Sequence, residues 1–201
     1  ELLDLKVVSA LKSPETIART PATVRVITCE QIRDNGCLTL EDALADLPGF
    51  QFRNILGFNS YSFIRGVPGQ NNKILLLVDG LQINELNSGG FYGGGQFNLA
   101  EVERIEVIYG PASALYGTNA LSGIINIVTR DPRAGSRGRV SAGLGTFGAR
   151  LADARYGYYD KNADFGFTAA AMLKRNEKAD LAGAAGDFNW TEAIENFEND
   201  A

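Results

Sequence analysis

Apolar and polar positions alternate along much of the chain, and the period of the alternation changes at a few definite places. Val24, Val26 and Ile27 mark a strand over residues 23–27. Thr28 then offers an N-cap hydroxyl, with Gln31 three positions on as a capping box, so a short helix follows. It stops at Gly36, whose tolerance of positive φ suits the C′ position. Thr39 with Asp42 repeats the signal ahead of Leu40, Ala43, Leu44 and Leu47 at helical spacing, and Pro48-Gly49 ends this second helix. Residues 50–53, 61–65 and 73–78 read as short strands, separated by turn-rich residues 54–60 and by Gly66, Pro68 and Gly69. Asp79-Gly80 between Leu75/Leu77 and Leu81/Ile83 predicts a hairpin, because a type I′ turn needs positive φ at both central residues. Residues 84–98 hold Gly89, Gly90, Gly93, Gly94 and Gly95 around Phe91 and Tyr92, too long a stretch for a connector alone, and read as an exposed functional loop.

Further on, Ile105, Val107 and Tyr109 alternate with Arg104, Glu106 and Ile108 until Gly110-Pro111 breaks the strand, and residues 112–116 can make one helical turn. Ile124, Ile125, Ile127 and Val128 predict a strand over residues 123–129 buried on both faces. A domain boundary falls in residues 131–135. Beyond it Phe165, Phe167, Ala169, Ala171 and Leu173 share one face, and Asp164, Gly166, Thr168, Ala170 and Lys174 the other. Ala152, Ala154, Tyr156 and Tyr158 repeat the pattern against Asp153, Arg155 and Gly157, and residues 139–147 give a Gly-rich version. A strand with one lipid-compatible face and one polar face reads this way. At ~9 to 11 residues per membrane strand the segment holds about three strands. The smallest closed barrels need about eight, so the chain is expected to continue in the native protein or to pair its edges elsewhere. Residues 191–201, acidic and short of strand texture, read either as an extracellular loop entering the next strand or as a frayed cut end.

Composition narrows the chemistry. The 201 residues contain no histidine, which removes Ser-His-Asp triads and histidine-based zinc sites. Lys+Arg 19 against Asp+Glu 24, a net charge of −5, lacks the basic footprint of nucleic-acid binding. No run of 18 apolar residues occurs, which excludes helical membrane spans but not strands. The start at Glu1, with no initiator Met or leader, suggests a mature or trimmed chain. Cys29 and Cys37 match neither CxxC redox chemistry nor a metal site; two unpaired, partly buried thiols are expected ahead of a disulfide. The glycine cluster lacks the order of a phosphate cradle, and Gly110 to Gly117 lacks its lysine. Asp79 is read as a turn residue, and Glu101, Glu103 and Glu106 as solvated or wall-facing charges. No catalytic residue, metal site or cofactor is expected, so the chain is read as a non-enzyme.

Five motifs stand in order: Phe63-Ile64-Arg65-Gly66, Leu75-Leu76-Leu77-Val78-Asp79-Gly80, Glu103-Arg104-Ile105-Glu106-Val107, Gly110-Pro111-Ala112-Ser113-Ala114-Leu115-Tyr116-Gly117 and Gly123-Ile124-Ile125-Asn126-Ile127-Val128-Thr129. Together they resemble the plug domain of TonB-dependent outer-membrane receptors over roughly residues 5–132. The resemblance implies an α+β plug with a small mixed β-sheet and short helices, followed by antiparallel β-strands of an incomplete transmembrane β-barrel. The family barrel has about 22 strands around the plug. The divisions expected are residues 1–12 as a coupling segment, 13–132 as the plug and 133–201 as the first barrel strands.

What the resemblance implies about function is ligand-gated, energised uptake of a scarce solute of the ferric siderophore or cobalamin class. The implied partners are the TonB energy-coupling protein, outer-membrane lipid and that ligand, for a monomer in the bacterial cell outer membrane with its plug facing the periplasm. A soluble periplasmic plug-like binding or signalling module without a barrel is the alternative. The TonB box corresponds to Leu5, Lys6, Val7, Val8, Ser9 and Ala10, an extended segment able to add as a strand to a partner's sheet edge. The ligand-facing loops correspond to residues 54–62 and 84–96, with Asn54, Phe58, Asn59, Tyr61, Asn84, Asn87, Phe91 and Tyr92 as contacts, since aromatic faces with amide donors suit large, partly apolar chelates. Arg65 matches an arginine that locks the plug to the barrel wall, and Tyr109 stands where many members carry a second arginine.

Overall fold

Both capping boxes form in the computed structural model, which describes residues 6–7, 15–16, 23–55, 59–69, 73–91, 93, 96–111, 116, 120–134, 137–145, 148–177 and 198–200. Helix α1 is Cys29–Asp34: Thr28 Oγ1 accepts from Gln31 N at 3.3 Å, and Gln31 Oε1 accepts from Thr28 N at 2.9 Å. Gly36, at φ +66°, closes it. Helix α2 is Leu40–Ala45, where Thr39 Oγ1 accepts from Asp42 N at 3.1 Å and Asp42 Oδ2 accepts from Thr39 N at 2.8 Å. Its Leu40, Ala43 and Leu44 are buried. A Thr39→Ala variant loses this box and is expected to cost about 1 kcal/mol of stability, read as earlier thermal unfolding of the segment; an unchanged transition would show that packing alone holds α2.

The chain divides into two compact units, residues 1–130 and 131–201. The first is built on a five-stranded mixed sheet in the order β3-β9-β10-β7-β8, with β3 Thr23–Thr28, β7 Ile74–Val78, β8 Leu81–Gln82, β9 Val102–Tyr109 and β10 Gly123–Thr129. β10 lies parallel to β7 and antiparallel to β9. Its Ile125 and Ile127 are buried on one face and its Ile124 on the other, as the isoleucine run predicts. Against one face pack Ile32, Leu40 and Leu44 from the helices, with Leu76, Ile105, Val107 and Ile125; against the other, Leu75, Leu77, Ile108, Ile124 and Ala120. Asp79 and Gly80 turn from β7 to β8 with φ +49° and +82°. The turn is fixed to β10, because the Asp79 carboxylate accepts from Thr129 N at 2.8 Å and from Thr129 Oγ1 at 2.7 Å.

A second sheet holds β4 Phe50–Ile55, β5 Asn59–Ile64 and β6 Val67–Pro68. Here the sequence reading is corrected twice. The strands run on through Asn54↔Ser60 and Ile55↔Asn59 where residues 54–60 were expected to be turn, since main-chain pairing is indifferent to loop-favouring side chains. Arg65 leaves β5, and with Gly66 it forms a two-residue turn closed by Ile64↔Val67, at φ +50° and +78°. Near the N-terminus β1 Lys6–Val7 pairs antiparallel with β2 Glu15–Thr16.

The second unit is an antiparallel meander of β11 Arg137–Leu144, β12 Arg150–Asp160, β13 Phe165–Glu177 and β14 Glu198–Asp200. β14 lies in the acidic tail, whose side chains do not themselves signal a strand; its pairing with residues 175–177 supplies it. β12 and β13, at 11 and 13 residues, reach the length that crosses a bilayer at a tilt. No helix among the described residues is long and apolar enough to do so, which says nothing of strands.

Candidate functional site

The segment expected to couple to a partner, residues 5–10, is described at two positions. Lys6 pairs with Thr16 and Val7 with Glu15, so this part of the segment is an extended strand on a two-residue ladder. Leu5, Val8, Ser9 and Ala10 lie outside the described residues.

The glycine-rich stretch is organised by Asn84. Its side chain is buried and spans three main-chain groups: Oδ1 accepts from Leu76 N at 2.9 Å, and Nδ2 donates to Ile74 O at 2.9 Å and to Gly89 O at 3.0 Å. Glu85 N donates to Gly90 O and Gly89 N to Glu85 O, both at 2.8 Å, and Ser88 Oγ donates to the Glu85 carboxylate. The loop is thus closed on itself. Farther along, Glu41 N donates to Gly93 O at 2.7 Å, and a Cβ on Gly93 would stand 3.3 Å from Glu41 N, so glycine is what permits this approach to α2. Asn84 and Phe91, expected at the ligand face, are buried within this framework, because an amide and a ring amid main-chain donors and apolar neighbours contribute more inside than out. Asn87 is exposed at the tip, and beside it Leu86 is wholly so, at 101%. Sequence reasoning missed Leu86; its only signal is a lone leucine within Asn84-Glu85-Leu86-Asn87-Ser88. Asn54 and Asn59 lie on β4 and β5 near the closed end of their hairpin, and Tyr61 is half-buried on β5 opposite Arg53. Phe58 and Tyr92 lie outside the described residues.

Arg65 occupies a left-handed position that ordinarily suits Asn or Gly, a strain of order 1 kcal/mol held by its surroundings. Its N donates to Gly49 O at 2.7 Å, and its guanidinium carbon lies 5.2 Å from the centroid of the Tyr109 ring, a cation–π stack. Phe50 meets the same ring edge-on at 6.0 Å. Burial raises the Tyr109 phenol above its ordinary pKa, with the cations Arg25 and Arg65 opposing. Arg65 remains exposed apart from that stack, so one face of a fixed guanidinium is presented outward.

On β9 the expectation of solvated acids is overturned at Glu106, which is 0% exposed. Arg104 shares its face and answers it: Nη2 lies 2.8 Å and Nε 2.9 Å from Glu106 Oε1, and Nη1 lies 2.8 Å from Glu103 Oε1. Strand alternation gives the i, i+2 pairing. Among the described residues no group of three or more Cys, Asp or Glu is placed to hold a metal. Cys29 and Cys37 are free thiols, and burial raises both. For Cys29 the neighbouring Glu30 adds to the effect. Raised thiols are poor nucleophiles.

In the second unit the exposed side of the meander is the apolar one. Val140 (80%), Leu144 (89%), Leu173 (73%), Tyr156, Tyr158, Phe165 and Phe167 all stand in the open, on the face shared with Ala152, Ala154, Ala169 and Ala171. Asp153, Arg155 and Lys174 are on the other, more covered face, where Ser141 donates to Asp153. The rings of Tyr156, Tyr158, Phe165 and Phe167 cluster at 5.8 to 6.4 Å near the β12–β13 turn. In water such a face would aggregate; toward lipid it is the stable arrangement.

Comparison with known proteins finds the family described as TonB-dependent Receptor Plug Domain over residues 16–124. The vitamin B12 transporter BtuB of Vibrio vulnificus (strain CMCP6) is 34% identical over 148 residues, 71% of this chain and 23% of that protein. The crystal structure of the siderophore receptor PiuA from Acinetobacter baumannii matches with a TM-score of 0.69 at 27% identity, covering 88% of this chain and 24% of that one. The pyoverdine outer membrane receptor FpvA from Pseudomonas aeruginosa PAO1 matches with a TM-score of 0.76 at 20% identity, a likeness of fold, over 88% of this chain and 25% of that one. The chain spans about a quarter of the length of these relatives.

Proposed function

From a chain that belongs to the TonB-dependent receptor plug-domain family, we propose that these residues are the plug and first barrel strands of a ligand-gated, TonB-energised outer-membrane transporter. The solute is a ferric siderophore or cobalamin-type chelate, in keeping with the relatives. The observation that carries this reading is the inverted second unit, with apolar side chains exposed on one face and polar ones on the other, directly following a plug fold. The same face weighs against a soluble periplasmic module, which would have to present it to water.

Residues 5–10 supply the coupling strand. A two-residue ladder is marginal by itself, so this strand is readily given up to a partner's sheet edge, where main-chain bonds carry the affinity. The closed loop bearing Leu86 and Asn87 supplies ligand contacts, one apolar and one amide, on a framework already ordered before binding. Asn84 and Phe91 act through that framework, and Asn54, Phe58, Asn59, Tyr61 and Tyr92 complete the apical surface. Arg65 is the latch toward the barrel wall. Arg65→Gly tests it, because glycine takes a positive φ without strain, so the turn is kept while the side chain and its stack on Tyr109 are lost. In the complete receptor this variant is expected to raise passive entry of a large antibiotic that the outer membrane excludes; unchanged exclusion would remove the latch. Growth of an uptake-deficient bacterium carrying the complete receptor, on a panel of ferric chelates and on cobalamin, tests the function itself. Rescue on one compound is the expected result, and rescue on none contradicts it.

A further inference from the structure

The outward face of the meander carries two cations where the apolar band ends. Arg150 and Arg175 are register partners on β12 and β13, both exposed, on the same face as Leu144, Ala152 and Leu173. Leu144 stands opposite Arg150 on β11, and Asp200 holds the register position beyond Arg175 on β14. Arg150 and Arg175 therefore stand side by side on this face. Like charges directly opposite one another destabilise a sheet, and arginine on a lipid-facing surface is costly at the midplane and tolerated only near the interface.

Distance along the strand places the pair at such an interface. Eight residues separate Arg150 from Tyr158. At ~3.3 Å per residue and a tilt of ~40° they span about 20 Å along the membrane normal, close to the ~25 Å height of an outward apolar band. The aromatic rings mark one edge of the band and the two arginines the other. An open apolar groove walled by Leu144, Ala152 and Leu173 leads up to Arg150 and Arg175.

Resting on the reading of residues 131–201 as barrel wall, we propose that Arg150 and Arg175 form a docking site for a net-anionic phosphate headgroup of a membrane lipid, one with no cationic group attached to the phosphate. The lipid's acyl chain lies along the Leu144–Ala152–Leu173 groove. Planar guanidinium forks match phosphate oxygens in pairs, so one phosphate can be met by both arginines. The groove favours a lipid over free phosphate, since it rewards an attached chain.

The test uses the complete receptor in phosphatidylcholine vesicles doped with phosphatidic acid, with co-purifying lipid counted by native mass spectrometry. Wild type is expected to retain phosphatidic acid over phosphatidylcholine, and Arg150→Gln with Arg175→Gln to lose the preference by about fivefold for each guanidinium removed. Equal retention of both lipids by wild type, or a preference unchanged in the double variant, overturns the site. Should the double variant not assemble, Arg150→Gln alone reads the same comparison. A wild-type receptor that does not integrate into the vesicles contradicts the barrel reading itself, a separate failure.

Discussion

In the complete receptor, removal of residues 5–10 is expected to abolish energised uptake while ligand still binds at the cell surface. The reason is a separation of tasks along the chain. The strand Lys6–Val7 is paired only to residues 15–16 among the described residues, whereas the loop that presents Leu86 and Asn87 is closed by Asn84, Glu85 and Ser88 and tied to α2 through Gly93. Among the described residues, the hydrogen bonds that close this loop run to Ile74, Leu76 and Glu41 and within the loop itself. A milder version, Val7→Pro, withdraws one main-chain donor from the strand and should lower uptake toward background in the same way, because strand addition relies on those donors. Binding of radiolabelled ligand to whole cells, measured beside accumulation inside them, separates the outcomes. Loss of both would make the segment structural, and retention of both would place coupling elsewhere.

The second large effect is expected at Arg104. Glu106 is fully buried in the central sheet, and its carboxylate is met by two nitrogens of Arg104 at 2.8 and 2.9 Å. Arg104→Leu leaves that carboxylate in the interior without the guanidinium, a loss of about 3 to 5 kcal/mol for a broken buried pair. Against a total domain stability of about 5 to 15 kcal/mol this is a large share. The bond to Glu103, whose side chain is 43% exposed, contributes little by comparison. Hydrogen exchange in the complete receptor should show the β9 and β10 amides losing protection by roughly two to three orders of magnitude. Arg104→Leu combined with Glu106→Leu should recover much of it, since an apolar pair of similar volume replaces the ion pair. Full protection in the single variant would mean that the pair adds nothing to the sheet.

What the sequence made legible is what short-range chemistry decides. Thr28 with Gln31 and Thr39 with Asp42 announce their helices because a capping box is complete within four residues, and Asp79-Gly80 announces its turn because both residues take positive φ readily. The outward face of residues 150–175 is legible for a similar reason, as alternation is a local pattern. Features decided by distant partners were not legible. Arg65 is a different case, a local turn that the sequence hides because arginine is not a residue that ordinarily takes a positive φ. Glu106 looks like a surface acid until its face of the sheet, shared with Ile108, is covered by packing with Ala120 and Tyr116. Asn84 carries amide chemistry suited to a ligand, and only the fold shows that Leu76, Ile74 and Gly89 have already taken it up. The parallel pairing of β7 with β10 likewise joins segments some fifty residues apart, and no local signal specifies it.

The account stands on residues 131–201 being membrane wall attached to a plug, and a scan of nitroxide labels from Leu151 to Tyr158 tests this most directly. Labels would be introduced one at a time in the complete receptor after Cys29 and Cys37 are replaced, and read in native outer membranes by collision with oxygen and with a water-soluble nickel chelate. Oxygen accessibility is predicted to peak at 152, 154, 156 and 158 and to fall at 151, 153, 155 and 157, a period of two. Equal access of the nickel chelate at every position would contradict the account.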